Sequence, residues 1–299
     1  MRARVIVNPT ANSGRARKQI PQIEQALATF GVAYELHVTE RPKQATEWAA
    51  SAAEAGFDAV LAAGGDGTIH EIVNGLIVAA GDGPTLPLGI FPVGTGNDLS
   101  DMINLPRDVA AAAKLITSGR WRSIDIGRVT IDGQSHYFDN NCAVAMEPLI
   151  TAEYDQLTRL SGVPRYIAAV VKGLFKLRPW PMKLEWDDGS YEGNILLGSV
   201  CNGPRTGSTF LMSPDAKVDD GLFDFVFVPE IPMHLVLRLV PRITTGSHLK
   251  HPKVRHVQTR KLTVTSYKPT PVHADGELLT DGTSQVVYEL LVGKLTLLG

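Results

Sequence analysis

The stretch AAGGDGTIHEIVNG, residues 62–75, decides how the first half of the chain reads. It follows the apolar run FDAVLA and opens into a helix expected over residues 68–78. Glycines at such a strand-to-helix turn let the backbone approach a ligand and present N–H groups to it. The helix N-terminus adds partial positive charge, which favours phosphate. Asp66 is the odd residue among Gly64, Gly65 and Gly67. A carboxylate repels phosphate unless a cation stands between them, and magnesium, bound by carboxylates, waters and phosphate oxygens, is suited to that place.

Working outward, strands and helices alternate through the first 125 residues. ARVIVNP, VAYELHVT, FDAVLAAGG, PLGIFPVG and RSIDIGRVTI read as strands. Helices are expected over residues 14–30, 43–55, 68–78 and 109–117. This alternation predicts a parallel sheet covered on both faces. Ligands of such sheets bind at the carboxyl ends of the strands. VNPTANSG (7–14) and FPVGTGNDLS (91–100) also follow strands and precede helices, so three polar, glycine-rich turns share one sheet edge. None carries the GK[ST] of a Walker loop, and GGDGTI lacks the third glycine of a dinucleotide fingerprint.

The rhythm changes after about residue 127. KLEWDDGSYEGNILL reads as a hairpin turning at Asp188-Gly189, and GLFDFVFV, KLTVTSY and QVVYELLVGKLTLL read as further strands. Helices are expected over 164–177 and 232–244. The predicted fold is therefore α/β, with a parallel-sheet, phosphate-binding domain at 1–127 and a β-rich, sandwich-like domain at 128–299. The last strand is a candidate to return to the first domain, and the expected site is the cleft between the two.

The 299 residues are 44% hydrophobic and 20% charged with a net charge of −2, which suits a globular chain and excludes a general affinity for nucleic acid. Residues 231–274 hold no acid but eight Lys or Arg and five His, a local basic surface unless acids from elsewhere fold against it. Cys142 and Cys201 are far apart in apolar runs and read as buried thiols of a reducing compartment. The N-terminus lacks a signal-peptide pattern and no run approaches a membrane span, so the expectation is a cytoplasmic protein whose membrane contact is peripheral.

GGDGT with the downstream GTGND resembles the catalytic fold of the diacylglycerol kinases, shared with sphingosine and ceramide kinases. VNPxxxxG, SIDIG (123–127), PDAKVDDGLFD (214–224), HPKV (251–254) and DGE (275–277) extend the likeness over nearly the whole chain, closest to the bacterial soluble enzymes. The resemblance implies ATP and Mg2+ as cofactors and a lipid hydroxyl as acceptor. It implies nucleotide contacts at Asn8, Ser13, Gly14, Thr39, Gly64, Gly65, Asp66, Gly67, Thr68, Glu71, Asn74, Thr95, Gly96 and Asn97. It implies a magnesium network at Asp66, Asp98 and Asp125, and Glu277 as catalytic base beside Asp66. It also implies a structural magnesium at Asp220 and the carbonyls of Lys217 and Leu222.

Plainer readings stand beside these. Asp98 could cap a short helix. Asp125 could be an ordinary strand-end residue. Asp275-Gly276 could be a hairpin turn with Glu277 on the following strand. Residues 219–221 could be a tight turn, and 165–180 could be a core-facing helix rather than a basic amphipathic one for anionic lipid. Two departures from the family pattern are Asn12 in place of a glycine and Met146-Glu147-Pro148 in place of small residues. A lipid kinase needs a membrane-borne substrate and contact with an anionic surface, and a homodimer is compatible with the sequence. An NAD kinase is the rival, since it shares GGDGT and TGST (206–209) echoes one of its motifs. Against it, Asn97 is followed by Asp98 rather than Glu. A non-catalytic binding protein is the third reading, disfavoured by the intact acids.

Overall fold

The computed structural model describes residues 1–160, 162–207 and 209–299; Ser208 of the TGST echo lies outside them. The chain divides into two compact units, residues 1–126 with 291–299 and residues 127–290.

The first unit runs β1 (Arg2–Val7), α1 (Arg15–Thr29), β2 (Ala33–Val38), α2 (Gln44–Ala50), β3 (Ala59–Gly64), α3 (Asp66–Ala80), β4 (Leu88–Pro92), α4 (Asp98–Met102), α5 (Val109–Ile116) and the start of β5 (Trp121–Ile131). Strands β2, β1, β3 and β4 are parallel neighbours in that order. A late segment of the chain joins β4 in parallel through Leu297 and Leu88. Both sheet faces are buried, so β3, β4 and the Val5–Val7 end of β1 are continuously apolar rather than alternating. Ile23 and Leu27 of α1 pack with Ala112 and Ile116 of α5 on one face, while α2 and α3 pack together elsewhere.

Two helices depart from expectation. α2 ends at Ala50, not near 55, because the Ser51 hydroxyl donates to the Glu47 carbonyl and the following residues close into turns. α3 starts at Asp66, two residues early, with Gly65 as its cap. The short helix expected to open at GTGND is α4; its five residues follow Asn97 at φ 108°.

The second unit continues with β6 (Gln134–Phe138), β7 (Asn141–Ala145), α6 (Met146–Gln156), α7 (Gly162–Lys176), β8 (Trp180–Trp186), β9 (Gly189–Cys201), β10 (Phe223–Pro229), α8 (Met233–Ile243), β11 (Arg255–Thr259), β12 (Lys261–Ala274) and β13 (Glu277–Leu298). Residues 291–298 of β13 belong to the first unit. The pairing is antiparallel: β9 runs from β8 to β10 and β7, and β12 from β8 to β7 and β13. Trp180, Phe138, Phe223, Phe225, Phe227 and Tyr288 are the large aromatic side chains of its sheet core. A second apolar cluster lies under α6, α7 and α8.

The β8–β9 turn is Asp187-Asp188, with Gly189 already paired to Trp186, one residue earlier than expected. α6 was not anticipated. It begins after Ala145 at φ 70°, a conformation alanine rarely takes, and carries Pro148 in its first turn, where proline is tolerated. Both cysteines are free and buried, and burial pushes their thiols up.

Candidate active site

Gly64 ends β3 and Gly65 caps α3, and a side chain on either would be crowded. A Cβ on Gly64 would lie 2.5 Å from Thr68 Cβ, and one on Gly65 3.2 Å from Gly94 Cα. The turns after β3 and β4 thus meet backbone to backbone. Gly67 differs: nothing stands within 4 Å of where its Cβ would be. Its exposed first-turn position is the open side of the cradle.

Asp66 ties the two turns together. Its Oδ1 accepts the Asn97 N–H at 3.0 Å and the Asp98 N–H at 2.6 Å, and its Oδ2 lies 2.9 Å from the Asn97 nitrogen. Asn97 closes its own turn, taking the Gly94 N–H at 3.1 Å and donating to the Gly94 carbonyl at 3.2 Å. Thr95 and Gly96 form the accessible tip between them. Asp98 is buried as the first residue of α4, so the capping residue is Asn97 and not Asp98.

The first turn joins the same cluster. Asn8 Nδ2 donates to Thr68 Oγ1 at 3.1 Å, while Asn8 Oδ1 accepts from Thr10. Asn12, Ser13 and Gly14 have φ of 52°, 53° and 81°, so Asn12 takes the left-handed conformation expected of its replaced glycine. Thr39 donates its N–H to the Val7 carbonyl at 2.9 Å, which places it at the ends of β1 and β2. Glu71 is one turn into α3 and accepts the Lys43 N–H at 3.0 Å; Asn74 caps the His70 carbonyl at 2.9 Å. Asp125 is buried in β5, where its Oδ1 accepts the Gly293 N–H at 2.7 Å. Asp66, Asp98 and Asp125 do not gather their carboxylate oxygens within 4.8 Å of one another.

In the second unit, Asp275 and Gly276 form a two-residue hairpin turn with φ 47° and 85°, the signature of a type I′ turn, and Glu277 pairs with Ala274 at its exit. Sequence reasoning missed what Asp275 does. Its carboxylate accepts the backbone N–H groups of Asp139, Asn140 and Asn141 at 3.0–3.1 Å, fixing the hairpin that carries Glu277. The only signal was an Asp at the first position of the turn. Residues 217–222 form a turn, exposed at Lys217, Asp219 and Asp220, in which Asp220 Oδ1 accepts the Leu222 N–H at 3.1 Å, with Gly221 at φ 77°. Its Gly221 carbonyl accepts from Arg260 Nε at 3.1 Å.

Helix α7 is apolar on two faces. Tyr166, Val170 and Leu174 pack inward, as a core-facing helix requires, while Ile167, Val171 and Phe175 are exposed, Phe175 at 88%. Its Lys172 and Lys176 both pair with the buried Glu153 of α6, which holds that carboxyl below the usual carboxylate range.

Residues 2–129 match the diacylglycerol kinase catalytic domain, and residues 141–299 match the YegS C-terminal NAD kinase beta sandwich-like domain. A diacylglycerol kinase from Staphylococcus saprophyticus is 31% identical over 92% of this chain and 88% of its own length. One from Staphylococcus epidermidis is 30% identical over 92% and 85%. A crystal structure of a diacylglycerol kinase from Bacillus anthracis aligns with TM-score 0.73 over 99% of this chain and 96% of its own; at 23% identity that likeness speaks for the fold. With both halves matched in order and relatives aligned along nearly the full length, the chain belongs to the diacylglycerol kinase family.

Proposed function

We propose that this protein transfers the γ-phosphoryl group of ATP to the primary hydroxyl of a membrane lipid, diacylglycerol, giving phosphatidic acid and ADP. The observation that carries this reading is Asp66, whose carboxylate binds the Asn97 and Asp98 amides and so assembles the GGDGT and GTGND turns around one point. Phosphoryl transfer depends on positioning and on stabilising negative charge more than on covalent chemistry. The open face at Gly67, the α3 N-terminus and the tip at Thr95 and Gly96 bind and orient the triphosphate. Asn8 and Thr68 fix the first turn against that cradle.

Asp66, Asp98 and Asp125 fit magnesium in ligand chemistry, being hard oxygen donors with no soft ligand among them. These carboxylates would hold a magnesium ion, which would neutralise triphosphate charge. Asp220 and the Lys217 and Leu222 carbonyls would hold a second, structural ion.

Glu277 takes the proton of the lipid hydroxyl as its oxygen bonds to the γ-phosphorus and the bond to the bridging oxygen of ADP breaks. The chemistry of a lipid acceptor requires contact with a bilayer. The exposed apolar residues of α7 and α8 and the acid-free span support peripheral binding to an anionic surface. Glu277→Ala is expected to abolish transfer to diacylglycerol while leaving the ATP dissociation constant within about twofold. Substantial turnover in that variant removes Glu277 as the base.

A further inference from the structure

Strand β7 begins where it meets the hairpin that carries Glu277, and its first residue, Asn141, is held from two sides. The Asn141 N–H donates to Asp275 Oδ1 at 3.0 Å, and its carbonyl accepts the Asp275 N–H at 2.8 Å. Both main-chain groups of Asn141 therefore grip the Asp275-Gly276 turn. The side chain reaches the other way. Asn141 is buried, and its Nδ2 donates to Glu147 Oε2 at 3.0 Å, with Ser199 Oγ at 3.5 Å. Glu147, Asn141 and Asp275 thus form one chain of contacts that ends two residues before the proposed base.

The far end of that chain is held at a cost. Glu147 is only 7% exposed, and among the described residues no Lys or Arg pairs with it. Its Oε2 also accepts from Thr206 Oγ1 at 3.4 Å, while its Oε1 has no hydrogen-bond partner. A buried polar atom left unpaired lowers stability. The backbone that delivers Glu147 is strained as well. Ala145, at φ 70°, turns the chain from β7 directly into α6, which folds Glu147 back towards Asn141; the Ala145 N–H is tied to Thr270 Oγ1 at 3.2 Å. Strain that persists in a folded chain points to a functional constraint. A second route leads to the same hairpin: His273 Nε2 lies 3.5 Å from Glu147 Oε2, and His273 pairs with Leu278, the residue after Glu277.

We propose that Asn141 and Glu147 are positioning residues for the base: Glu147 fixes the Asn141 side chain, and Asn141 fixes the turn from which Glu277 emerges. The inference rests on the lipid-kinase reading. A general base must sit within hydrogen-bond reach of the proton it takes, and a misplacement of about 1 Å can cost about 100-fold in rate. A two-residue turn sets the register of its own two arms. The bonds to Asn141 set where that turn sits against β7, and the bond to Glu147 keeps Asn141 in place. Neither side chain needs to touch substrate for this.

The test compares variants of the full chain in steady-state kinetics with ATP and dioctanoylglycerol. Asn141→Ala keeps both main-chain bonds to Asp275 and removes only the link to Glu147; Glu147→Ala removes that link from its other end. Each is expected to lower kcat about 10–100-fold, with the KM for ATP and for the lipid within about twofold of native. Glu147→Gln, whose amide oxygen can still accept from Asn141, is expected to recover most of that loss. Thr206→Val removes a different donor from the same Glu147 oxygen and is expected to keep the native kcat. Hydrogen exchange adds a readout independent of turnover: amides 275–278 should exchange at least about tenfold faster in the two alanine variants and at the native rate in Thr206→Val. Asn141→Ser replaces Asn141→Ala if the latter does not fold. Native kcat in both alanine variants, a raised lipid KM with native kcat, no recovery in Glu147→Gln, or an equal loss in Thr206→Val overturns the inference. A native chain that makes no phosphatidic acid removes the lipid-kinase reading instead, and the exchange rates then decide whether Glu147 and Asn141 hold the hairpin.

Discussion

Gly67 and Gly94 stand near the same point and do opposite things. A methyl group on Gly94 would come 2.9 Å from Asn97 Oδ1 and inside the contact distance of Gly65 Cα, so the two turns could not meet. Gly94→Ala is expected to cost about 1–3 kcal/mol of stability and most activity. Gly67→Ala meets nothing and removes a helical glycine, so its melting temperature should be equal to or above the native value, by about 0.5–1 kcal/mol of stability. Its KM for ATP should rise about tenfold, because the methyl stands where phosphate approaches the backbone. Thermal melts of both variants with ATP kinetics check the pair; a destabilised Gly67→Ala with native KM contradicts the assignment of the open face. At this scale the sequence was informative about residue type and silent about pairing. GGDGT pointed to a phosphate cradle and Asp66 to a cation, but a hydrogen bond to amides 31 and 32 residues away leaves no periodic trace.

Among the elements, α6 and α7 illustrate how charge holds a helix whose outer face is apolar. Lys172 and Lys176 reach one carboxylate, Glu153, which is itself buried. Because the lysines lower the Glu153 pKa in the folded state, the pair stabilises fully above the unfolded carboxylate pKa of about 4.3, and the contribution is lost as pH falls through the lower folded value. Glu153→Gln should therefore lower stability by about 1–3 kcal/mol at pH 7, with the difference from native shrinking below about pH 4. Denaturant melts across that range check it; a pH-independent difference would assign the effect to packing instead. Strands and helices of the first unit were legible because parallel strands buried on both faces and their crossover helices have distinct periods. α6 was not, since neither a positive-φ alanine nor a proline three residues into a helix announces a start. The end of α2 shifted for a similar reason: a serine hydroxyl bonded to a carbonyl four residues back decides it, and the alanine-rich run does not.

For the whole molecule, two properties bear on function: the order of its units along the chain and its uneven charge. Strand β13 begins at the proposed base, Glu277, in the second unit and ends in the first, where Leu295, Leu297 and Leu298 are buried. The net charge of −2 conceals the acid-free span 231–274. Within it, α8 exposes Met233 and Leu237 beside Arg238 and Arg242, for which no carboxylate partner occurs among the described residues. Binding to phosphatidylglycerol vesicles should weaken about fivefold for each of Arg238→Ala and Arg242→Ala at low salt, and fall for the native chain as salt rises. Co-sedimentation with anionic and zwitterionic vesicles measures this, and salt-independent binding contradicts an electrostatic contact. Composition hinted at this surface; which residues of the span are exposed became evident only with the fold.

The central claim is phosphoryl transfer from ATP to a lipid hydroxyl at the Asp66-centred turns. The most direct measurement is transfer of γ-labelled phosphate from ATP in parallel reactions with diacylglycerol in mixed micelles and with NAD. The account predicts labelled phosphatidic acid, no labelled NADP, and loss of the lipid product on chelating magnesium. Labelled NADP with no labelled lipid would contradict it.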